Sequence, residues 1–391
     1  MTKFTVEMSS SEKPAVIKPL LTEAQAVELV ERLYGLKVSS VQPMPSYDDQ
    51  NFHILVSENQ VTRDHSQSYT LKVMNTGESE DADLIEAQTR AMIFLSEKGF
   101  PTPTPIPTID GKLMSLETIE QGNEHRQHMI RLLTYLPGVP VANLTLDHGM
   151  FYKMGRTFAQ MDKALHEEFF HPTTLSLHRE GFRWDLSYFH LLEEYLPEIE
   201  ESETRSIVKQ VLQQFKEKLL PNLSKFRRSI IHGDCNEYNI LLVPVDYSAD
   251  GMTDRSSTTH PQPEFRISAI LDFGDLSYGC FVYELAVSIM YLMTQSTEPL
   301  SVGGHVMAGF ESIIPLTEDE RDALFLLVLC RFSQSLLIAS HSVLLHPENE
   351  EYIMVSVRKG WRCLHQLWQL GKEAVERIWF DTAKSYQSES G

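Results

Sequence analysis

The sequence predicts an α+β chain of two lobes, a small antiparallel five-stranded lobe and then a larger, mainly helical one. Three observations carry that expectation. Short β-type runs separated by turn residues fill 36–135, the stretch Leu136-Pro137-Gly138-Val139-Pro140 interrupts the pattern, and beyond it apolar residues recur at helical spacing. At 391 residues the chain can bury a sizeable core in more than one lobe. A hydrophobic content of 42% with 23% charged residues is that of an ordinary globular protein. The net charge of −20 argues against non-specific nucleic-acid binding and is compatible with a cationic small substrate, although acidity often serves solubility alone. Cys235, Cys280, Cys330 and Cys363 are widely scattered without a C-x-x-C pair, which argues against a disulfide framework or zinc site and fits a reducing compartment.

Taken in order, residues 1–19 read as a flexible tail without an apolar signal core. Thr22-Glu23-Ala24-Gln25 has the form of a capping box and opens a helix that Gly35 stops. Strands are expected over 36–44, 52–56 and 67–74, with the polar, glycine-free turn Ser46-Tyr47-Asp48-Asp49-Gln50-Asn51 between the first two. Lys72 falls near the end of the third strand, and 81–98 follows as a helix carrying Glu86. Four prolines within 100–107 make a stiff connector, and strands over 113–119 and 128–135 complete a lobe of 20–135. Residues 136–140 are expected as a hinge, and 141–391 as the second lobe. There, helices are expected over 146–165, 203–226, 281–293, 317–340, 347–370 and 371–385. Residues 246–263, rich in Asp, Ser, Thr and Pro, read as a mobile insertion between two short strands. The most apolar run, 323–339, contains Arg331, Ser333, Gln334 and Ser335, so a buried helix is expected rather than a membrane span. A cytoplasmic protein with neither membrane nor nucleic-acid partners follows.

The chemistry concentrates in His232-Gly233-Asp234 with Asn239, followed about thirty residues later by Asp272-Phe273-Gly274-Asp275. Together these read H-x-D-x-x-x-x-N and D-F-G, the spacing of a phosphoryl-transfer site. Either half alone is a weak signal; their order, spacing and apolar flanks make the pair specific. Asp234 is the residue to orient an attacking hydroxyl and accept its proton. Asn239 and Asp272 are the residues to meet at Mg²⁺ bridging nucleotide phosphates. Lys72 is placed to hold phosphate, with Glu86 as its carboxylate partner. Ser46 and Asn51 would add donors at the glycine-free turn, and the backbone of Thr134 to Leu136 would meet the nucleotide base. His232 reads as a loop brace rather than a proton carrier. Asp275 suits either a substrate ammonium or a turn cap. Glu284, alone on an apolar helix, suits the substrate pocket or, preferably, an anchor for the catalytic loop. Arg331 needs a buried partner, either an internal acid or a substrate carboxylate.

These motifs resemble the aminoglycoside phosphotransferase and choline kinase group, small-molecule kinases with a bilobal protein-kinase-like fold. Protein kinases carry H-R-D, A-P-E and a glycine-rich loop, and none of these is here. Further stretches extend the likeness through nearly the whole chain, among them Pro45-Ser46-Tyr47-Asp48-Asp49-Gln50-Asn51-Phe52, Arg131 to Gly138, Gly303-Gly304-His305-Val306 and Trp379 to Tyr386. They are similar to the branch of the group that acts on free 5-hydroxy-L-lysine. The resemblance implies GTP as phosphate donor, Mg²⁺ as cofactor and a free hydroxylated amino acid as acceptor. It puts the base on Asp234, the metal on Asn239 and Asp272, and phosphate on Lys72. Two alternatives stand beside it: the same chemistry on choline, ethanolamine or an aminoglycoside, and a catalytically silent nucleotide-binding module.

Overall fold

Helix α1 (Glu23–Tyr34) begins as its sequence requires. Thr22 accepts from the Gln25 amide, the Gln25 side chain takes the Thr22 N–H, and Gly35 ends the helix at φ 66°. Its buried residues Ala26, Leu29, Val30 and Tyr34 pack with the inward residues of an antiparallel sheet. That sheet contains β1 (Val38–Met44), β2 (Gln50–Val56) and β3 (Ser68–Val73), in which Phe52, Ile54 and Val56 alternate inward opposite Tyr69, Leu71 and Val73. The computed structural model describes residues 16–46, 48–57, 67–121, 124–245, 264–345 and 350–388. The 246–263 insertion, Tyr47 and the tail up to residue 15 lie outside the described residues.

After a short turn of helix, α2 (Thr76–Ser79), comes α3 (Ala82–Glu97). The sheet then continues with β4 (Pro105–Ile106), β5 (Ser115–Gln121) and β6 (Glu124–Thr134), in the order β1-β2-β3-β6-β4 with β5 also on β6. Among the described residues this sheet has six strands where five were expected. The extra one comes from the proline connector, where Pro105 and Ile106 pair with Leu133 and Leu132. An edge position tolerates a residue that has no N–H to donate.

The chain divides into two units, one running to Ile85 and resuming over Thr104–Tyr135, the other comprising Glu86–Pro103 and Leu136 onwards. Most of α3 thus groups with the second unit, not with the lobe of 20–135. Gln88 Nε2 donates to Gly274 O at 2.9 Å, and Ile270 N donates to Pro101 O at 2.8 Å.

In the second unit, the stretch read as a hinge contributes β7 (Val139–Pro140), and α4 (His148–Glu168) follows, capped by Asp147. The helix expected over 203–226 is shorter. Helix α5 (Glu203–Gln214) loosens into a π turn at Phe215–Leu219 and a 3-10 turn at Leu220–Lys225, where Pro221 lacks the N–H to continue an α-helix. Strands β8 (Arg228–Ile231), β9 (Ile240–Pro244), β10 (Phe265–Ile270) and β11 (Ser277–Cys280) form two small antiparallel sheets, β10-β9-β7 and β11-β8. The remainder is α6 (Phe281–Met293), α7 (Pro299–Glu311), α8 (Glu318–Leu345), α9 (Glu350–Leu370) and α10 (Lys372–Ser388). By length and composition α8 could cross a membrane, but 89% of its apolar window is buried inside the protein.

Helix α7 was not legible in the sequence, because Gly303, Gly304 and Gly309 depress helix propensity. Packing explains them. A Cβ on Gly309 would meet Tyr152 O at 2.0 Å, one on Gly155 would meet Val306 O at 2.1 Å, and one on Gly303 would meet the Trp379 ring at 2.4 Å. The backbones of α4 and α7 touch, and only glycine permits it.

Gly309→Ala should therefore cost about 1–3 kcal/mol or more, since backbone rather than a flexible side chain must yield; urea unfolding midpoints check this. His305 gives a second expectation. It is buried, stacked on His148 at 4.2 Å and bonded to Tyr386 Oη at 2.8 Å, and burial followed by the His148 charge lowers its pKa to about 4. A histidine whose folded pKa lies below its unfolded value near 6.5 favours folding above that value, and this contribution is lost as pH falls from about 6.5 to 4. Thermal melting across that window should show a fall in stability that His305→Gln reduces.

Candidate active site

Two strand pairings assemble the site. Ile240 of β9 pairs with Ile270 of β10, and Leu271 N donates to Asn239 O at 2.7 Å, so Asn239 and Asp272 emerge at the same end of one hairpin. Ile231 of β8 pairs with Ser277 of β11, which brings His232-Gly233-Asp234 against Asp272-Phe273-Gly274-Asp275. The turn at Gly233 has φ 78°, and a Cβ there would lie 3.1 Å from Asp275 O, so glycine is required. Asp272 is the one non-glycine residue at positive φ among the described residues, at 57°, and its carboxylate accepts from Gly274 N at 3.3 Å. Backbone strain of that kind concentrates at functional sites.

Hydrogen bonds lock the loop. His232 is fully buried; its Nδ1 accepts from Asp234 N at 3.3 Å, which puts the ring proton on Nε2, 3.0 Å from Leu271 O. It therefore braces both halves of the motif, with Phe273 edge-on at 4.7 Å. Asp234 Oδ2 accepts from Asn236 Nδ2 at 2.8 Å and Asn239 Nδ2 at 2.9 Å. From α6, Glu284 Oε2 accepts from Gly233 N at 2.9 Å, a contact that anchors the loop. Beside it the buried Asp162 of α4 has no hydrogen-bond partner for either oxygen, and burial followed by the Glu284 charge pushes its pKa well up, towards the protonated form. Arg331 is enclosed, with Nη2 3.4 Å from Asp234 Oδ1, so Asp234 is an internal acid that answers it.

Like charges gather here. Burial, then Asp275 and Asp272, push Asp234 well above the ordinary carboxylate range, while Arg331 and Asn236 pull it down. Burial also raises Asp275, against Arg179 and Arg331. Asp275 borders a narrow recess whose walls include Phe182, Trp184, Asp185 and Tyr283. Arg179 donates to Gly274 O at 2.8 Å and stacks on Phe182 at 3.5 Å.

In the first unit, Asn51 and Lys72 are cross-strand neighbours. Lys72 Nζ lies 2.9 Å from Asp49 Oδ2, and Asp49 Oδ1 accepts from both Asn75 N and Asn75 Nδ2. Sequence reasoning gave Asp49 no role. The signal available was its place two residues before the residue opposite Lys72. Glu86, expected beside Lys72, falls in the second unit and pairs with Arg90 at 2.6 Å. Ser46 Oγ donates to Asp49 O at 2.6 Å, which closes the turn, while the buried Asn51 Oδ1 has no hydrogen-bond partner. Thr134 Oγ1 accepts from Thr104 N at 2.9 Å, so its side chain braces the connector, and Leu136 begins the second unit.

The donor set suits a hard divalent cation. Asn239 commits Nδ2 to Asp234, which leaves its amide oxygen for a metal, and Asp272 adds a carboxylate at the same hairpin end. Oxygen donors with little nitrogen or sulfur are the Mg²⁺ pattern.

Comparison with known proteins agrees with this chemistry. Residues 45–249 match the family model described as the phosphotransferase enzyme family. Hydroxylysine kinase of Mus musculus is 48% identical over 375 residues, covering 96% of this chain and 96% of that protein. The Bos taurus protein of the same name is 47% identical with the same coverage, and that of Danio rerio is 44% identical over 95% of this chain and 98% of its own. Among solved structures, a microcompartment-associated aminopropanol kinase aligns over 91% of this chain and 99% of its own, with a TM-score of 0.63 at 15% identity. Amicoumacin kinase in complex with AMP-PNP, Ca²⁺ and Ami aligns over 89% of this chain and 97% of its own, with a TM-score of 0.59 at 15% identity. The fold is the kinase-like one, with an antiparallel-sheet part and a helical part, and the chain belongs to the phosphotransferase enzyme family.

Proposed function

We propose that the protein transfers the γ-phosphoryl group of GTP to the side-chain hydroxyl of free 5-hydroxy-L-lysine, giving 5-phosphohydroxy-L-lysine and GDP. The observation that carries this reading is the Asp234 carboxylate, fixed through Oδ2 by Asn236 and Asn239 and embedded in a loop tied down by Glu284. The relatives named hydroxylysine kinase, at 44–48% identity along almost the full chain, support the choice of acceptor. Such a reaction is a step of hydroxylysine catabolism. Buried free cysteines, Cys235, Cys280, Cys330 and Cys363, suit the reducing cytoplasm as its location.

Asp234 aligns the acceptor hydroxyl and takes its proton as the oxygen attacks the γ-phosphorus and the bond to the GDP oxygen breaks. Lys72, with Asp49 beside it in the first unit, is the phosphate-holding cation. Asn239 and Asp272 would hold Mg²⁺. Bound there, the ion supplies charge neutralisation to the phosphate oxygens. Asp275, near Asp234, suits the acceptor's ammonium group, for which a carboxylate is attractive. That preference favours an amino alcohol over a neutral one.

The deciding assay follows nucleotide turnover by the purified protein with Mg²⁺, comparing GTP with ATP, each with 5-hydroxylysine, lysine, choline or no acceptor. Turnover is expected with GTP and hydroxylysine and not with lysine, which lacks the hydroxyl. Turnover with choline alone would sink the acceptor assignment, and nucleotide binding without any turnover would sink the enzyme reading. Asp234→Asn should lower kcat by about 10²–10⁴-fold, the worth of a general base, without loss of nucleotide binding. Chelation of the metal should abolish turnover. Asp272→Asn and Asn239→Ala should raise the Mg²⁺ concentration needed for half-maximal rate, by about tenfold or more; a Mg²⁺ titration of initial rates reads this directly.

A further inference from the structure

Arg331 lies midway along α8 among Leu327, Val328, Leu329, Cys330 and Phe332, and it is wholly enclosed. A guanidinium there must satisfy its charge and its N–H groups on protein. Nη1 donates to Trp184 O at 3.1 Å and Gln334 Oε1 at 2.9 Å. Nη2 lies 3.3 Å from Tyr291 Oη, 3.4 Å from Asp234 Oδ1 and 3.5 Å from Gly233 O. The rings of Trp184 and Tyr291 cover the group, with centroids 4.7 and 5.3 Å from Cζ. Gln334 Nε2 donates in turn to Arg183 O at 2.8 Å, which fastens the 183–184 segment to the same turn of α8.

The two oxygens of Asp234 are therefore unequal. Oδ2 accepts two short bonds from side-chain amides, which fill its lone pairs. Oδ1 faces Arg331 at the long end of hydrogen-bond range and keeps acceptor capacity. We infer that Arg331 is the positioning residue of the phosphoryl-transfer base: it sets the Asp234 carboxylate so that Oδ1 meets the acceptor hydroxyl, and it does not itself bind the acceptor. This rests on the reading of Asp234 as the base. The arrangement demands arginine, because only a planar fork of donors can serve Trp184 O, Gln334, Tyr291 and Asp234 together while lying between two rings.

The test uses full-length Arg331→Lys and Arg331→Ala beside the parent protein. Both variants should lose about 100-fold in kcat, as expected when a reacting group is misplaced, with KM for nucleotide and acceptor changed no more than about twofold. Added methylguanidine should restore part of the Arg331→Ala rate and none of the Arg331→Lys rate, and a crystal structure of either variant should show the Asp234 carboxylate turned from its place. Unchanged kcat would overturn the inference. So would a raised acceptor KM at constant kcat, which marks a substrate ligand, or an Asp234 side chain that stays put. Should Arg331→Ala not fold, Arg331→Lys carries the kinetic and crystallographic comparisons. Parent protein silent towards hydroxylysine would defeat the acceptor assignment alone, since the position of Asp234 is read without any acceptor.

Discussion

Charge inside a protein must be answered by charge or by hydrogen bonds, and the second unit is built around one case of this. Asp234, Asp272 and Asp275 share one corner, in which Asp275 and Asp272 raise the cost of ionising Asp234 and Asp272 raises that of Asp275. Arg331 faces Asp234, Arg179 lies near Asp275, and the carboxamides of Asn236 and Asn239 and the backbone of Gly274 supply the remaining partners. The loop cannot move far without exposing one of these carboxylates to another unscreened.

The supports come from helices that are otherwise apolar. Helix α6 is buried along most of its length and carries one acid, Glu284, aimed at Gly233 N. The apolar centre of α8 carries Arg331, aimed at Asp234. A polar group on such a helix costs stability unless its partner is fixed, so each couples packing of a helix to the position of the catalytic loop. Close contact of α4 with α7, allowed by Gly155 and Gly309, holds the framework behind them. Asp162 on α4 lies buried behind this loop, where burial and then Glu284 push its pKa upward.

Much of this was legible beforehand. Helix α1 was announced by its capping box and Gly35, and α6 by a largely apolar run from Phe281 to Met293. The His232, Asp234, Asn239 and Asp272 motif was readable because phosphoryl transfer needs those groups at those spacings. Helix α7 was hidden, since its glycines answer to neighbours far along the chain. The end of α5 was misjudged, because Pro221 acts through a local backbone limit that helical periodicity does not register.

The sequence by itself determined the reaction class and singled out Asp234, Asn239 and Asp272 as candidates for base and metal ligands, because such candidates are a matter of residue chemistry and short spacing. It also determined that Arg331 and Glu284 would need partners, since a charge on an apolar helix is never neutral in its consequences. Tertiary structure alone decided who those partners are. Arg331 meets Asp234 across 97 residues, Glu284 meets Gly233 across 51, and Lys72 meets Asp49 on the neighbouring stretch of the first unit. Such contacts arise when strands pair and helices pack. Those events join positions that no local pattern connects, so the pairing of charges is a property of the fold.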